Sequence, residues 1–268
     1  MPSPTEITVA QLQRLVGLPG APPVVDVRTD EDFALDPRLI PGARRADPHR
    51  AGEWGPALAG GRAVVVCQKG LKLSQGAAAL LRNEGVAAET LAGGTDAWRA
   101  AGAPTVAAAA ISGRDARGRT VWVTRARPKI DRIACPWLIR RWVDPDAVIL
   151  YVAPSEVAAV AERFAATAFD IDGAALGHRG ERCTFDAMLD AFGLEGAPLR
   201  HLAQIVRGAD TARPDLAPEA PGLLAVSLGL SRMHRDDLAQ LDAAMALYDA
   251  LYRWCRDATG ETHGPEAA

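Results

Sequence analysis

Two periodicities alternate along the first hundred residues: short apolar runs typical of buried strands, and longer stretches spaced like one face of a helix. The segment TEITVAQLQRLV predicts a strand that leads into a helix. Further strands are predicted at PVVDVR, AVVVC and AAETL, and further helices at LSQGAAALLRNEG and GGTDAWRAAG. Because buried strands separated by helices pair side by side, we expect an α/β domain with a parallel sheet and flanking helices.

The pattern breaks at GAPTVAAAAISGRDARGR, which has no amphipathic period and predicts a linker. Strand signals return at RTVWVTRA, AVILYVA and TAFDID, with a helix at PSEVAAVAERFA that begins at Pro154. After Cys183 every pattern is helical. We therefore expect one domain at residues 1–106, a linker at 107–118, and a second α/β domain at 119–260 that ends in a helical cluster.

Composition adds a local charge imbalance to this picture. The 268 residues carry a net charge of −3 and are 49% hydrophobic, as in an ordinary globular protein. From Arg114 to Arg141 there are nine basic residues and two acidic ones, whereas the remainder is acidic. The basic stretch is therefore a candidate for anion binding.

No run reaches the length of a membrane span, and the amino terminus lacks the basic and apolar regions of a signal peptide. The four cysteines are far apart and form no CxxC pair, which favours reduced thiols over disulfides or a closed zinc site. We expect a cytoplasmic protein without a membrane partner.

Cys67 follows a strand and precedes a helix, in the sequence Cys67-Gln68-Lys69-Gly70-Leu71-Lys72. A loop that enters a helix amino terminus presents backbone N–H groups to one point, and the helix dipole stabilises a thiolate there. Residues Gln68 to Lys72 would form this anion site. The alternative is a buried structural thiol, because free cysteine is among the most buried residue types.

The first half resembles the rhodanese family, through DVRTDEDF, LIPGARRAD, the cysteine loop and LAGGTDAW, in family order over residues 5 to 104. The resemblance implies that Cys67 takes a sulfane sulfur as a persulfide and passes it to a thiol. Asp26 and Arg28 would then be framework residues that pair internally. The loop departs from the family at Lys72 and Leu73, where arginine and serine are common. It also lacks the Cys-x5-Arg pattern of cysteine phosphatases, which argues against a phosphate-directed function.

The second half resembles the C-terminal domain of the chromate-resistance protein family, over residues 119 to 257. The strings that carry this likeness are VTRARPKIDRIACPWLIRRWVDPDAVILYV, FDIDGAALGHRGERCTFDAMLDAFGL and IVRGADTARPDLAPEAPGLLAVSLGLSRMHRDD. The resemblance implies a role in handling chromate or its reduction products.

In the basic stretch, proline favours the first helical position, which predicts that Cys135 caps a helix beginning at Pro136 and has a lowered pKa. Arg125, Lys129 and Arg132, with Arg127, could bind an oxyanion there by charge-assisted hydrogen bonds. The alternative is that these arginines pair with acidic helices of their own domain.

His178, Cys183 and Asp210 could form an open site for zinc or a divalent transition metal, although their spacing matches no standard motif. Cys183 could equally be the apolar start of a helix, and His178 a loop residue bonded to the backbone. No GxGxxG motif follows a strand, so no redox cofactor is indicated. His234 and Cys255 are interpreted as structural.

The leading hypothesis is a sulfurtransferase with a small anionic sulfur donor such as thiosulfate, and a thiol acceptor, for which Cys135 and Cys183 are candidates. A rival hypothesis is a chromate-responsive regulator that binds an oxyanion or DNA. The charge is confined to one stretch and no basic recognition helix stands out, which argues against nucleic acid. A third is an inactive rhodanese module with a buried Cys67. The sequence leaves the oligomeric state open.

Overall fold

A parallel sheet forms the first of two compact units in this computed structural model, which describes residues 5–111 and 113–261. The strands of this unit are β1 (Glu6–Ile7), β2 (Val24–Asp26), β3 (Arg38–Leu39), β4 (Arg44–Arg45), β5 (Arg62–Val66), β6 (Ala87–Leu91) and β7 (Val106–Ala107). The five-stranded sheet has the order β1-β6-β5-β2-β4 with all pairs parallel, and β3 pairs antiparallel with β7. The predicted parallel sheet is confirmed, with β5 at its centre.

Helices cover this sheet, and its core lies between β2, β5 and one long helix. The helices are α1 (Val9–Leu15), α2 (Asp30–Leu35), α3 (Ala51–Trp54), α4 (Lys72–Asn83) and α5 (Gly94–Ala100). The small inner face of α4 packs Ala77, Ala78 and Leu81 against Val25 and Val65. The predicted helices are confirmed; α2 and α3, together with β3 and β4, are too short to show a period and the sequence did not reveal them.

The first unit comprises the described residues as far as Val121, together with Leu138–Val148 and Ala191–Leu194. The predicted linker at 107–118 begins with the last residue of β7 and a 3-10 turn at Ala108–Ala110, while Ser112 lies outside the described residues. The domain limits 1–106 and 119–260 stay a prediction.

The second unit combines a small sheet with a helical cluster. Its strands, of which the first residues of β8 and β9 belong to the first unit, are β8 (Val121–Arg125), β9 (Val148–Val152) and β10 (Thr167–Ala168), in the order β10-β8-β9. Its helices are α6 (Asp131–Leu138), α7 (Val157–Arg163), α8 (Thr184–Phe192), α9 (Ala197–Asp210), α10 (Ala220–Met233) and α11 (Asp237–Asp257). The predicted order of strands first and helices after Cys183 is confirmed. Within the described residues, no helix combines the length and apolar character needed to cross a membrane.

The prediction that a helix begins at Pro136 is wrong, because α6 begins five residues earlier at Asp131 and contains Pro136 in its interior. A proline in a helix leaves the carbonyl four residues back without its usual N–H donor. Here the Tyr151 hydroxyl donates to that Arg132 carbonyl at 2.7 Å, so the orphaned acceptor is satisfied. The chain then widens into a π-helical turn at Ile139–Val143.

An aromatic cluster forms the core of the second unit. The Trp137 ring stacks on Phe185 with centroids 6.4 Å apart, and Tyr248 and Tyr252 pack against its other sides. The indole N–H of Trp137 donates to Asp249 at 2.8 Å, so its polar atom is also paired. Cys255, one turn beyond Tyr252, is buried on the same helix, as expected of a packed face.

Candidate functional site

The candidate nucleophile, Cys67, directly follows the central strand β5, and the helix α4 begins five residues later at Lys72. The carboxyl ends of parallel strands are where ligands bind in open α/β sheets. The loop residues that the sequence singled out, Gln68, Lys69, Gly70 and Leu71, all lie between this strand end and the helix. The strand, loop and helix thus place Cys67 where the sequence predicted.

The backbone N–H groups of residues 68–74 donate no hydrogen bond to any other group in the part of the chain that the structure describes. Leu71 stands at the N-cap position of α4 and supplies no capping side chain. Unpaired N–H groups at a helix amino terminus attract anions, because their dipoles and that of the helix add. The loop therefore has the donors needed to hold a thiolate, a persulfide or an anionic sulfur donor.

The first turn of α5 fixes the shape of this loop. Gly94 lies so close that a Cβ atom on it would collide with the carbonyl oxygen of Cys67. Beside it, the N–H of Thr95 donates to the Cys67 carbonyl at 3.0 Å, and that of Asp96 to the Gln68 carbonyl at 2.9 Å. Gly70, with a φ of 69°, adopts the left-handed backbone conformation in this loop. The LAGGTDAW segment therefore serves as the support of the cysteine loop.

The Cys67 thiol is nearly buried, with 5% of the residue exposed, and it joins the core cluster on one side. Its Sγ lies 3.2 Å from the hydroxyl of Ser74, which also donates to the Leu71 carbonyl at 3.1 Å. Ser74 was not predicted to take part in this site. Ser74 is the third residue of α4, and this position could have identified it as a neighbour of the thiol, since helical side chains point back towards the helix amino terminus.

Two exposed lysines flank the loop, Lys69 and Lys72, and neither forms an ion pair with any described residue. They are two of the three lysines in the whole chain, the third being Lys129. Exposed cations without a partner raise the local concentration of small anions. Leu71, between them, is 56% exposed.

Asp26 and Arg28 form the internal pair that the sequence predicted. The Arg28 guanidinium donates to both Asp26 oxygens, with Nε to Oδ2 at 2.9 Å, and also to the carbonyl of Arg38. Both side chains are buried. Asp26 pairs in register with Val66, the residue before Cys67, so this ion pair fixes the strand end that carries the thiol.

The basic stretch of the second unit is largely neutralised within its own fold. Arg125 and Arg132 both contact the Asp170 carboxylate, at 3.3 and 3.2 Å. Arg127 donates to backbone carbonyls at the end of α10, and its own N–H donates to Asp237. These contacts agree with the alternative of internal pairing. Lys129 is exposed, and an oxyanion site on this stretch stays a prediction.

The prediction of a lowered pKa for Cys135 is wrong. Cys135 lies inside α6 and is fully buried, and burial together with the nearby Asp131 carboxylate raises its pKa well above the ordinary value. Cys183 precedes α8, where its N–H donates to Asp186, and burial raises its pKa strongly too. Both thiols are therefore protonated and poor candidates for sulfur acceptors.

His178 is surrounded by carboxylates rather than by the predicted thiol. Its Nε2 lies 3.1 Å from Asp210, 3.4 Å from Asp131 and 3.5 Å from Asp170. The hydrogen bond with Asp131 raises the pKa of His178 to about 9, and burial raises that of Asp210 to about 7. The structure brings His178 and Asp210 together as predicted, whereas Cys183 bonds to Asp186.

The family model of the rhodanese-like domain matches residues 8–101, all of which lie in the first unit. The family model described as "ChrB, C-terminal domain" matches residues 122–255, half of the chain. The chain therefore belongs to the family of the ChrB C-terminal domain.

Known proteins resemble each half separately. Protein ChrB of Cupriavidus metallidurans is 38% identical over 132 residues, which is 49% of this chain and 39% of that protein. The chain thus spans about two fifths of the length of this curated relative. Among solved structures, the thiosulfate sulfurtransferase of Pseudomonas aeruginosa is 32% identical over 39% of this chain and 19% of its own, with a TM-score of 0.33. A rhodanese-related protein of Thermoplasma volcanium is 24% identical over 38% of this chain and 96% of its own, with a TM-score of 0.33.

Proposed function

We propose that the protein is a sulfurtransferase in which Cys67 carries sulfane sulfur as a persulfide, joined to a domain that serves the detoxification of chromate or related oxyanions. The observation that carries the proposal is the position of Cys67 before the unpaired N–H groups of residues 68–74. A persulfide is anionic at neutral pH, so such donors stabilise it more than they stabilise a neutral thiol.

The proposed reaction has two nucleophilic steps. The Cys67 thiolate attacks the outer sulfur of thiosulfate, the new S–S bond forms as the old one breaks, and sulfite leaves with the electron pair. An acceptor thiolate then attacks the outer sulfur of the Cys67 persulfide, which releases Cys67 as a thiolate. The hydroxyl of Ser74 lies 3.2 Å from Sγ, and by turning its proton away from the Leu71 carbonyl it would donate to the thiolate in both steps.

An external thiol is the proposed acceptor, because Cys135 and Cys183 are buried and protonated. A small donor suits the low exposure of Cys67, and its negative charge suits Lys69 and Lys72. We propose the reducing cytoplasm as the compartment, since all four cysteines are free.

Sulfur transfer from thiosulfate to a small thiol tests the enzymatic part. We expect turnover by the full chain and none by Cys67→Ser. The matched control is Cys255→Ser, which removes another buried thiol outside the loop and should retain the activity. Equal turnover by the wild type and Cys67→Ser would refute the assigned nucleophile.

The oxyanion role is tested in cells that lack a copy of this chain. Expression of the wild type is expected to raise chromate tolerance, and expression of Cys67→Ser at the same level to raise it less. If the two chains protect equally, the sulfur chemistry is not part of the protective role.

A further inference from the structure

Four side chains from four parts of the second unit converge beside β10 and α6. Asp131 is the first residue of α6, Asp170 follows β10, His178 lies in the loop before α8, and Asp210 is the last residue of α9. One potential ligand atom each from Asp131, Asp170 and His178 lies within 4.8 Å of the others. The point where they meet takes no part in the proposed sulfur transfer.

The distances around His178 fit a shared ion better than a set of hydrogen bonds. A single imidazole N–H donates in one direction, yet three carboxylates lie at 3.1, 3.4 and 3.5 Å from Nε2. Two donor atoms that each lie about 2.1 Å from one metal ion are about 3.0 to 3.5 Å apart. An ion placed among Asp131, Asp170 and His178 would have one potential ligand atom from each of them close by.

In the described part of the chain, two of the three carboxylates at this point have no cation beside them other than His178. Arg125 and Arg132 reach only Asp170, and neither Asp131 nor Asp210 has a lysine or arginine within 4 Å among the described residues. The Asp131 side chain is 1% exposed, so it cannot rely on water for its charge. His178 can therefore supply at most one positive charge for the two carboxylates, Asp131 and Asp210, that neither arginine reaches.

We propose that Asp131, Asp170 and His178 bind a divalent first-row metal ion through oxygen and nitrogen, with Asp210 within reach as a further ligand. Carboxylate and imidazole ligands suit Mn²⁺, Fe²⁺ and Zn²⁺, and the Cys183 sulfur that a softer ion would need is turned towards Asp186. This site does not depend on the sulfurtransferase proposal.

Hydrogen bonds from Thr184 orient two of the ligands, and a pocket gives an ion access to them. Asp131 accepts from the N–H of Thr184 at 2.6 Å, and Asp170 accepts from the Thr184 hydroxyl at 2.9 Å, which orients the two carboxylates. A pocket of about 440 Å³, lined by Arg125, Asp170, His178 and the loop between the last two, opens beside them. His178 is 44% exposed, so the ion would retain positions for water or an anion.

Titration of the untagged full chain with Mn²⁺ tests this site. After treatment with a chelator, the fall in the free Mn²⁺ electron paramagnetic resonance signal gives stoichiometry and affinity, and Zn²⁺ is titrated in parallel by calorimetry. We expect one ion per chain, and at least about tenfold weaker binding in His178→Ala. Because His178 is partly exposed and caps no helix, this variant should keep the circular dichroism of the wild type.

The matched control is Asp172→Asn, which removes an exposed carboxylate from the same pocket without touching the three ligands. Its affinity should stay within about twofold of the wild type. The proposal is overturned if the wild type binds neither Mn²⁺ nor Zn²⁺ in stoichiometric amount, if His178→Ala binds as tightly as the wild type, or if Asp172→Asn loses as much affinity as His178→Ala.

Discussion

Lys72 is the residue at which the cysteine loop departs most clearly from the rhodanese pattern. Arginine at this place can grip an oxyanion with two parallel hydrogen bonds, whereas the lysine ammonium acts as a point charge. Lys72 is exposed and forms no ion pair with a described residue, so its charge is available to the donor. We expect it to assist capture of the donor rather than the chemical step.

Removal of this charge should therefore weaken the capture of thiosulfate. For Lys72→Ala we expect kcat/KM to fall about fivefold, the equivalent of about 1 kcal/mol, and the loss to shrink at high salt. Lys72→Arg should match or exceed the wild type. Lys129→Ala, which removes an exposed lysine from the other unit, is the control. Steady-state kinetics that show the same decrease for both alanine variants would contradict a local role.

Residue types and local spacing explain why the cysteine loop could be predicted and the carboxylate cluster could not. The loop lies within eight consecutive residues and follows a readable strand, so its chemistry is contained in the local sequence. Asp131 and Asp210 are 79 positions apart, and only the packing of α6 against the end of α9 brings them together. Ser74 was missed because its role depends on the direction of one helical side chain.

At the scale of elements, α6 shows how a tertiary contact overrides a local rule. Proline normally marks the first turn of a helix, which is why the sequence predicted a start at Pro136. The structure instead starts α6 at Asp131 and supplies the Tyr151 hydroxyl to the Arg132 carbonyl that Pro136 leaves free. No local pattern contains this donor, because Tyr151 lies on β9.

A double-mutant cycle tests this compensation. Tyr151→Phe should lower the free energy of unfolding by about 1 to 2 kcal/mol, because it leaves the Arg132 carbonyl without a donor. In the Pro136→Ala background the restored backbone N–H donates to the Arg132 carbonyl in place of the hydroxyl. Tyr151→Phe should then lower the free energy of unfolding by about 0.5 kcal/mol or less. Urea unfolding measures both. Equal losses in the two backgrounds would show that the hydroxyl does not replace the helical bond.

Across the whole molecule, contacts of buried Asp144 join segments of the first unit that are distant in the sequence. Asp144 accepts from Arg44 at 2.7 Å and from the N–H of Thr120 at 2.7 Å, and its side chain is fully buried. Burial raises the pKa of this carboxyl, but the hydrogen bonds from Thr120 and Arg44 outweigh burial and lower it below the ordinary value. The contact with Arg44 joins residues 100 positions apart, and the contact with Thr120 joins residues 24 positions apart.

The free energy of unfolding should therefore fall at acidic pH as the Asp144 carboxyl becomes protonated. A lowered folded-state pKa means that its contribution is complete above the unfolded value of about 4 and is lost as pH falls through the folded value. Asp144→Asn should cost about 2 kcal/mol at neutral pH and flatten the decline of stability between about pH 5 and 3. Urea unfolding across this range gives the comparison. Asp146→Asn, which removes the exposed partner of Arg44, should cost less than about 0.5 kcal/mol; equal losses would contradict the special role of Asp144.

The parallel sheet and the later helices could be predicted because each is long or repetitive enough to show a period. The two-residue strands β3 and β4 could not, since neither spans a full alternation and both depend on partners elsewhere in the chain. The internal pairing of Arg125 and Arg132 was one of two open alternatives, because charge alone does not say where a carboxylate such as Asp170 will lie.

The intact mass of the full chain before and after incubation with thiosulfate tests whether Cys67 carries sulfur. We predict that the wild type gains the mass of one sulfur atom and that a reducing thiol removes it. Cys67→Ser should gain nothing, while Cys255→Ser should gain as the wild type does. A wild-type chain that gains no sulfur from thiosulfate or from a persulfide donor, or a Cys67→Ser chain that still gains one, would contradict the assignment of Cys67 as the sulfur carrier.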